Sequence, residues 1–219
     1  MMILKSALFK DITDDEFEQI KSEMYVREKE YRKGDTIFRC GDRVSEIGVV
    51  VSGGVMIETV DPEGKKSILS RVGCGGVFAE TYVVCNEPLM VDVVCGENSK
   101  ILFLNFHRLL KGDNTKNRSG EKILKNLLLI SANKNLVLSK RIFCTAPKGI
   151  RAKVTAYLKS ESVKSGSDSF SVPFNRYQMA DYLGVDRSAL SKELCAMRDE
   201  GLIAFRKNNF KLLSAQFND

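Results

Sequence analysis

The chain has 219 residues, of which 43% are hydrophobic and 28% are charged, and its formal net charge at pH 7 is +6. This length is sufficient for two domains, and the composition is that of an ordinary globular protein. No segment approaches the roughly 18 apolar residues of a membrane helix, and the N-terminal apolar patch is too short for a secretory signal. We therefore expect a cytoplasmic protein with no membrane partner.

The charges are distributed unevenly along the chain. Residues 1–111 carry 15 basic and 18 acidic side chains, whereas residues 112–219 carry 19 basic and 10 acidic ones. A basic second half joined to a mildly acidic first half favours a polyanionic partner for the second half.

The sequence contains no recognisable metal-binding or catalytic arrangement. No two cysteines form a C-x-x-C pair, and His107 is the single histidine. Structural zinc and iron–sulfur sites usually show close ligand pairs, and acid–base catalysis most often uses histidine. We therefore expect no metal, no cofactor and no enzymatic activity. The cysteines read as small buried residues, and the alternative is redox control through Cys74, Cys85 and Cys95.

The first half of the chain shows one helical pattern followed by a β pattern. Residues 11–30 begin with acidic residues and place Phe17, Ile20 and Met24 at helical spacing, which predicts a short helix. From Tyr31 onward, short β-branched runs (VFAETYVV among them) alternate with glycine-containing turn signals about every ten residues, which predicts an antiparallel sandwich or barrel. The segment DPEG at 61–64 predicts a hairpin turn.

A long helix is predicted over residues 121–143, which contain no proline. Its apolar residues occupy more than one stripe, so we expect two buried faces, one against the sheet domain and one against a second subunit. The alternative is a helix buried within one chain. Residues 145–149 contain Pro147 and Gly149 and predict a hinge.

Residues 175–203 carry the most informative pattern. A helix over 176–183 is followed by Gly184, which suits a tight turn, and by Asp186, which suits the N-cap of a second helix over 187–200. On that second helix the apolar residues share one face, while the other face carries cations and hydroxyls at its N-terminal half. This pattern predicts a helix-turn-helix whose second helix enters the DNA major groove.

A hairpin is predicted over residues 203–213, with Asn208 and Asn209 taking left-handed backbone conformations at its turn. Arg206, Lys207 and Lys211 decorate this hairpin. Such a wing can contact DNA phosphates; the alternative is an ordinary hairpin with surface charges.

Taken in order, these parts resemble the CRP/FNR family of bacterial transcription regulators. The resemblance is carried by KGDTIFRCGD, VVVSGGVMIETVDPEGKKSIL, GGVFAE, the long helix and RYQMADYLGVDRSALSKEL. It implies an α+β fold in three parts. These are an N-terminal antiparallel β-roll of the cyclic-nucleotide-binding type (1–112), a long dimerisation helix (113–146) and a C-terminal winged helix-turn-helix domain (147–219).

The resemblance also implies a homodimeric transcription activator that binds a palindromic operator in double-stranded DNA and works with RNA polymerase. The residues expected at the DNA are Arg187, Ser188 and Lys192 as base readers, Ser191 as a further contact, Arg176 as a phosphate contact, and Arg206 and Lys207 on the wing. Ser188 replaces a glutamate that is frequent in the family, so the operator sequences of the best-known branches need not apply.

The effector site departs from the cyclic-nucleotide branch of the family. Ala79-Glu80 stands where that branch has Gly-Glu, and Met90-Val91 stands where it has Arg-Ser, with Asp92 beside them. Without the arginine, a cyclic phosphate loses its charge-assisted partner. We therefore expect a branch, similar to some anaerobe and Firmicute regulators, with a small organic effector other than cyclic AMP. The expected pocket residues are Phe78, Glu80, Tyr82, Met90, Asn135 and Leu136.

Three alternatives remain open at this point. The chain could respond to a cyclic nucleotide after all, it could have no effector, or it could be a ligand-binding regulatory subunit without a DNA function. The helix-turn-helix pattern favours the DNA-binding regulator over the last of these.

Overall fold

A computed structural model describes residues 6–60, 63, 66–111 and 118–214. The chain forms two compact units, Met1–Asn133 and Lys134–Asp219. The three-part division expected above, at 112 and 146, stays a prediction. Among the described residues, no helix is both long and apolar enough to cross a membrane.

The first unit contains eight strands among its described residues. They are β1 (Arg27–Tyr31), β2 (Thr36–Phe38), β3 (Glu46–Ser52), β4 (Gly54–Val60), β5 (Lys66–Gly73), β6 (Val77–Phe78), β7 (Asp92–Cys95) and β8 (Ser99–Asn105). One sheet has the order β1-β8-β3-β6 and the other β2-β7-β4-β5, and every pairing is antiparallel. The predicted antiparallel β fold is therefore confirmed.

Two apolar cores stabilise this unit. Between the strands, Phe78 packs in a cluster with Val50, Val55, Ile101 and Phe103, all of which are buried. Gly48 permits this arrangement, because a Cβ at that position would lie only 2.1 Å from the Phe78 ring. The absence of a side chain in β3 thus lets a large aromatic ring fill the interior of the roll.

The second core of this unit joins its helices to the outer face of one sheet. These helices are α1 (Asp14–Glu23), α2 (Glu80–Cys85), α3 (Phe106–Lys111) and the first part of α4 (Arg118–Thr145). Ile123 and Leu127 of α4 are buried in the cluster that also holds Phe9 and Phe17, whose rings meet edge to face. The buried Asn126 amide donates hydrogen bonds to the carbonyls of Leu8 and Lys10 at 2.9 and 2.8 Å. One face of the long helix is therefore buried, as predicted.

Two local predictions in this unit were wrong. The helix expected over 11–30 ends at Glu23, because Tyr25 takes a left-handed backbone (φ 46°) and residues 27–31 pair with β8 as a strand. The run VFAETYVV is a strand only at Val77–Phe78 and continues as α2. The hairpin of β4 and β5 is present, but Asp61, Pro62 and Gly64 of its predicted turn lie outside the described residues.

The second unit contains the C-terminal part of α4, then α5 (Ile150–Ser165), β9 (Ser169–Ser171), α6 (Arg176–Leu183), α7 (Arg187–Asp199), β10 (Ile203–Arg206) and β11 (Asn209–Leu212). Its three strands form one antiparallel sheet in the order β10-β11-β9. A single apolar cluster, which includes Cys144, Tyr157, Met179, Leu194 and Phe210, joins the helices to this sheet. Three helices and a small sheet therefore fold around one core, as the winged helix-turn-helix pattern predicted.

Candidate nucleic-acid interface

The turn between α6 and α7 is formed by two adjacent backbone devices. Gly184 takes the left-handed conformation (φ 61°), and its N–H donates to the Asp181 carbonyl at 3.2 Å. The Val185 N–H donates to the Ala180 carbonyl at 3.0 Å. A glycine C-cap of this kind ends α6 without steric cost and lets α7 begin three residues later.

Asp186 is the N-cap of α7, as predicted. Its Oδ1 atom accepts from the Ala189 N–H at 2.9 Å and from the Ser188 hydroxyl at 2.5 Å. The Ser188 hydroxyl bond, followed by the bonds from backbone N–H groups, lowers the pKa of this carboxyl. The side chain therefore remains ionised at neutral pH and satisfies donors that the first turn of a helix leaves unpaired.

The faces of α7 divide as the periodicity predicted. Leu190, Leu194 and Met197 are buried in the core of the second unit. The opposite face presents the exposed side chains of Arg187, Ser188, Lys192 and Cys195, and the half-buried Ser191 donates to the Arg187 carbonyl. Neither Arg187 nor Lys192 pairs with a carboxylate of the described residues, so both cations are available to an anionic partner.

Arg151, at the start of α5, fixes α7 from its other side. Its Nε donates to Glu193 at 2.5 Å, and its two terminal nitrogens donate to the Glu200 carboxylate at 2.7 and 2.6 Å. These bonds raise the pKa of Arg151 further above its ordinary value, the Glu200 bonds contributing most. The sequence analysis missed this clamp. Its signal was the pair of carboxylates seven residues apart, which places them on one face of the predicted helix.

The wing is the β10–β11 hairpin, in which Phe205 faces Phe210 across the strands. Its turn consists of Lys207 and Asn208, and Lys207 rather than an asparagine takes the left-handed conformation (φ 54°). Asn209 is already the first residue of β11, so the predicted Asn208–Asn209 turn is wrong by one residue. Arg206 and Lys207 are exposed at the tip of the hairpin.

Arg176, the predicted phosphate contact, lies against the wing. Its guanidinium carbon is 5.0 Å from the ring centroids of both Phe205 and Phe210, and its Nη2 donates to the Lys207 carbonyl at 2.8 Å. An open cleft of about 640 Å³ adjoins this contact; it is lined by Asn175, Arg176, Phe205, Lys207, Asn208 and Asn209. The structure therefore brings the N-terminus of α6 and the wing tip together on one side of the unit.

The predicted effector residues of the first unit do not form a uniform group. Phe78 and Glu80 are buried, Tyr82 is half-buried, and Met90 is 75% exposed. Asp92, which follows Met90, accepts a hydrogen bond from the Cys40 N–H at 2.8 Å and thereby holds a neighbouring loop. Phe78 thus fills the core of the roll, whereas Met90 lies at the surface.

The other two predicted pocket residues, Asn135 and Leu136, lie on α4 in the second unit. The Asn135 carbonyl oxygen accepts from the Ser139 hydroxyl at 3.0 Å, and Leu136 is 69% exposed. Their place in an effector pocket stays a prediction.

Comparison with known proteins matches each unit to a family. Residues 28–112 match the Cyclic nucleotide-binding domain, and residues 152–216 match the Crp-like helix-turn-helix domain. The probable transcriptional regulator flp of Lacticaseibacillus casei is 26% identical over 216 residues, which cover 95% of this chain and 92% of that protein. The transcriptional activator protein FnrA of Stutzerimonas stutzeri is 24% identical over 200 residues, 86% of this chain and 78% of that protein.

Among solved structures, the catabolite activator protein of Thermus thermophilus resembles this chain with a TM-score of 0.50 at 22% identity, and the match covers 97% of both chains. This likeness concerns the fold, in which a β-sheet domain, a long helix and a helix-turn-helix follow one another in the same order.

The Ala79 position offers a direct test of the turn that precedes α2. Ala79 has φ 65°, a left-handed conformation that costs a non-glycine residue roughly 1–2 kcal/mol. We expect Ala79→Gly to raise the free energy of unfolding of the first unit by about 0.5–1 kcal/mol, since the lost methyl burial offsets part of the relieved strain. Urea denaturation measures the change.

The matched control is the opposite substitution in the same turn, Gly75→Ala, at φ 81°. It should shift the urea midpoint to lower concentration, because an alanine there acquires the strain that Ala79 loses. A lower midpoint for Ala79→Gly would contradict the assignment of strain to this residue.

Proposed function

Because the chain belongs to the CRP/FNR family of transcription regulators, we propose that it acts as a homodimer that binds a palindromic operator through both copies of α7. The coarser function follows from the family itself: the chain is a DNA-binding transcription regulator with an effector-binding domain, and it is not an enzyme. A regulator of this kind works on the chromosome, in the cytoplasm.

The observation that carries the proposal is the exposed face of α7. Arg187 and Lys192 project cations that no described carboxylate neutralises, and Ser188 and Ser191 supply hydroxyls on the same half of the helix. Arginine and lysine donate to guanine O6 and N7 in the major groove, and serine hydroxyls reach bases or phosphates. Arg206 and Lys207 at the wing tip suit contacts with the DNA backbone.

Unpartnered apolar residues on α4 support the homodimer. In the second unit, Leu136, Val137, Leu138, Ile142 and Phe143 are each at least 60% exposed. In the first unit, Leu128 and Leu129 of the same helix are also exposed. Such a density of exposed leucine and aromatic side chains on one helix is typical of a helix that pairs with a copy of itself.

We infer that the effector is a small organic molecule other than cyclic AMP. Residues 74–94 contain no arginine or lysine, and Met90 stands where the cyclic-nucleotide branch has its arginine. The effector would bind in the β-roll and shift the balance between DNA-binding arrangements of the dimer. Activation at a promoter would further require contact with RNA polymerase.

Substitution of Arg187 tests the reading of DNA by α7. We expect Arg187→Ala to weaken discrimination at one base pair of each half-site by about 1–3 kcal/mol, because it removes a base-edge donor. Selection of bound sequences from a random DNA pool, with the wild type and the variant in parallel, measures this. Lys164→Ala, which removes an exposed charge at the end of α5, is the control and should leave the selected sequence unchanged. The proposal fails if no palindrome is selected or if Arg187→Ala selects the wild-type site.

The oligomeric state tests the role assigned to α4. Leu129 and Leu136 are seven residues apart and so lie along one line of the helix. We expect Leu129→Lys/Leu136→Lys to shift the mass measured by sedimentation equilibrium from that of two chains to that of one. Val163→Lys on α5 is the matched control, because Val163 is equally exposed and lies outside α4. A wild-type protein that sediments as one chain at micromolar concentration would exclude the homodimer.

Cyclic AMP provides the test of the effector class. Since loss of a charge-assisted partner for a buried phosphate costs several kcal/mol, millimolar cyclic AMP should leave operator affinity unchanged within about twofold. Fluorescence anisotropy of a labelled operator measures the affinity. A saturable increase in affinity at micromolar cyclic AMP would show that this inference is wrong while leaving the DNA-binding proposal intact.

A further inference from the structure

Arg176 makes three contacts with the wing. Its guanidinium lies 5.0 Å from the centroids of both wing phenylalanines, Phe205 and Phe210, whose rings are themselves 5.6 Å apart. Its Nη2 atom donates to the Lys207 carbonyl at the turn. A guanidinium can stack on aromatic faces and donate in its own plane at the same time, and these contacts use both properties.

The same guanidinium is withdrawn from solvent. Arg176 is half-buried, and burial lowers the pKa of its guanidinium. Its Nη1 atom is fully buried and has no hydrogen-bond acceptor among the described residues. An arginine that contacts a DNA phosphate presents its terminal nitrogens to the outside, whereas here one terminal nitrogen is enclosed and the other is bonded to the wing.

The wing turn is a place where an external anchor has an effect. Lys207 carries a side chain at φ 54°, a conformation that costs energy for a residue other than glycine or asparagine. The turn is held at two adjacent carbonyls, because Lys207 O accepts from Arg176 and Asn208 O accepts from the Val172 N–H at 2.9 Å. Removal of the first of these bonds leaves a strained turn with a single tether.

We propose that Arg176 is a positioning residue that anchors the wing, and that it acts on DNA through Arg206 and Lys207 rather than through a phosphate contact of its own. The structural half of this proposal concerns the free protein. The DNA half rests on the proposed function, since it requires that the wing contact the operator.

Amide hydrogen exchange of the free protein tests the anchor. Both Arg176→Met and Arg176→Lys should speed exchange of the Val172 amide by roughly tenfold, because methionine cannot bond the Lys207 carbonyl and the compact ammonium of lysine cannot also stack on two rings. Exchange of the Leu194 amide in α7 should stay unchanged, which separates a loosened wing from global unfolding.

Arg198→Met is the matched control for the anchor. Arg198 also lies over Phe205, at 5.7 Å, but it is exposed and its guanidinium donates to Asp199 instead of the wing turn. This variant should leave the Val172 amide unchanged. Wild-type exchange at Val172 in both Arg176 variants would overturn the anchor.

A double-mutant cycle in operator binding tests the route of action. In a background of Arg206→Gln/Lys207→Gln, adding Arg176→Met should change operator affinity by less than about twofold, because the groups that it positions are already absent. A direct phosphate contact would behave differently. Each copy of Arg176 would then still contribute, and its loss would lower the slope of log affinity against log salt by about 0.9 per phosphate. That result would overturn the DNA half of the proposal.

The two experiments separate failure of this inference from failure of the proposed function. If no variant and no wild-type protein bound a specific DNA site, the proposed function would fail, and hydrogen exchange would still decide whether Arg176 anchors the wing.

Discussion

The reading head depends on the burial of one face of α7. Leu190, Leu194 and Met197 enter the core of the second unit, and this burial alone determines which side chains the helix shows to the outside. Full burial of each such side chain is worth about 1.5–3 kcal/mol, far more than any exposed ion pair on the same helix. The cations and hydroxyls are consequently displayed because the apolar face has only one place to go.

Polar contacts then refine the orientation that the core has chosen. Gly184 and Asp186 end one helix and begin the next within three residues, so the angle between α6 and α7 is set by backbone geometry. Arg151 adds a second constraint, because its three hydrogen bonds reach two carboxylates of the α7 region from the first turn of α5. Since α5 directly follows residues 145–149, this clamp gives the segment after the predicted hinge a direct connection to the DNA-reading helix.

The first unit shows a conserved kind of backbone with altered chemistry. The left-handed residue before α2 is retained although it is an alanine, and the buried Glu80 follows it. Beyond α2, however, Met90 is exposed and Asp92 is occupied with the backbone of Cys40. The turn therefore persists as part of the β-roll scaffold, while the residues that would neutralise a cyclic phosphate have been replaced.

The sequence by itself determined the order of the parts, the helix-turn-helix and the two faces of α7, because those features depend on local periodicity, a glycine C-cap and an aspartate N-cap. It did not determine β1 or α2. Residues 27–31 become a strand through pairing with β8, more than sixty residues away, and the strand pattern at 77–84 is interrupted by the positive φ of Ala79. Only the tertiary structure decided the direction of Arg176. Its partners Phe205, Lys207 and Phe210 lie about thirty residues further along the chain, and no local signal specifies whether a guanidinium at the start of a helix faces solvent or an aromatic pair that packing brings beside it.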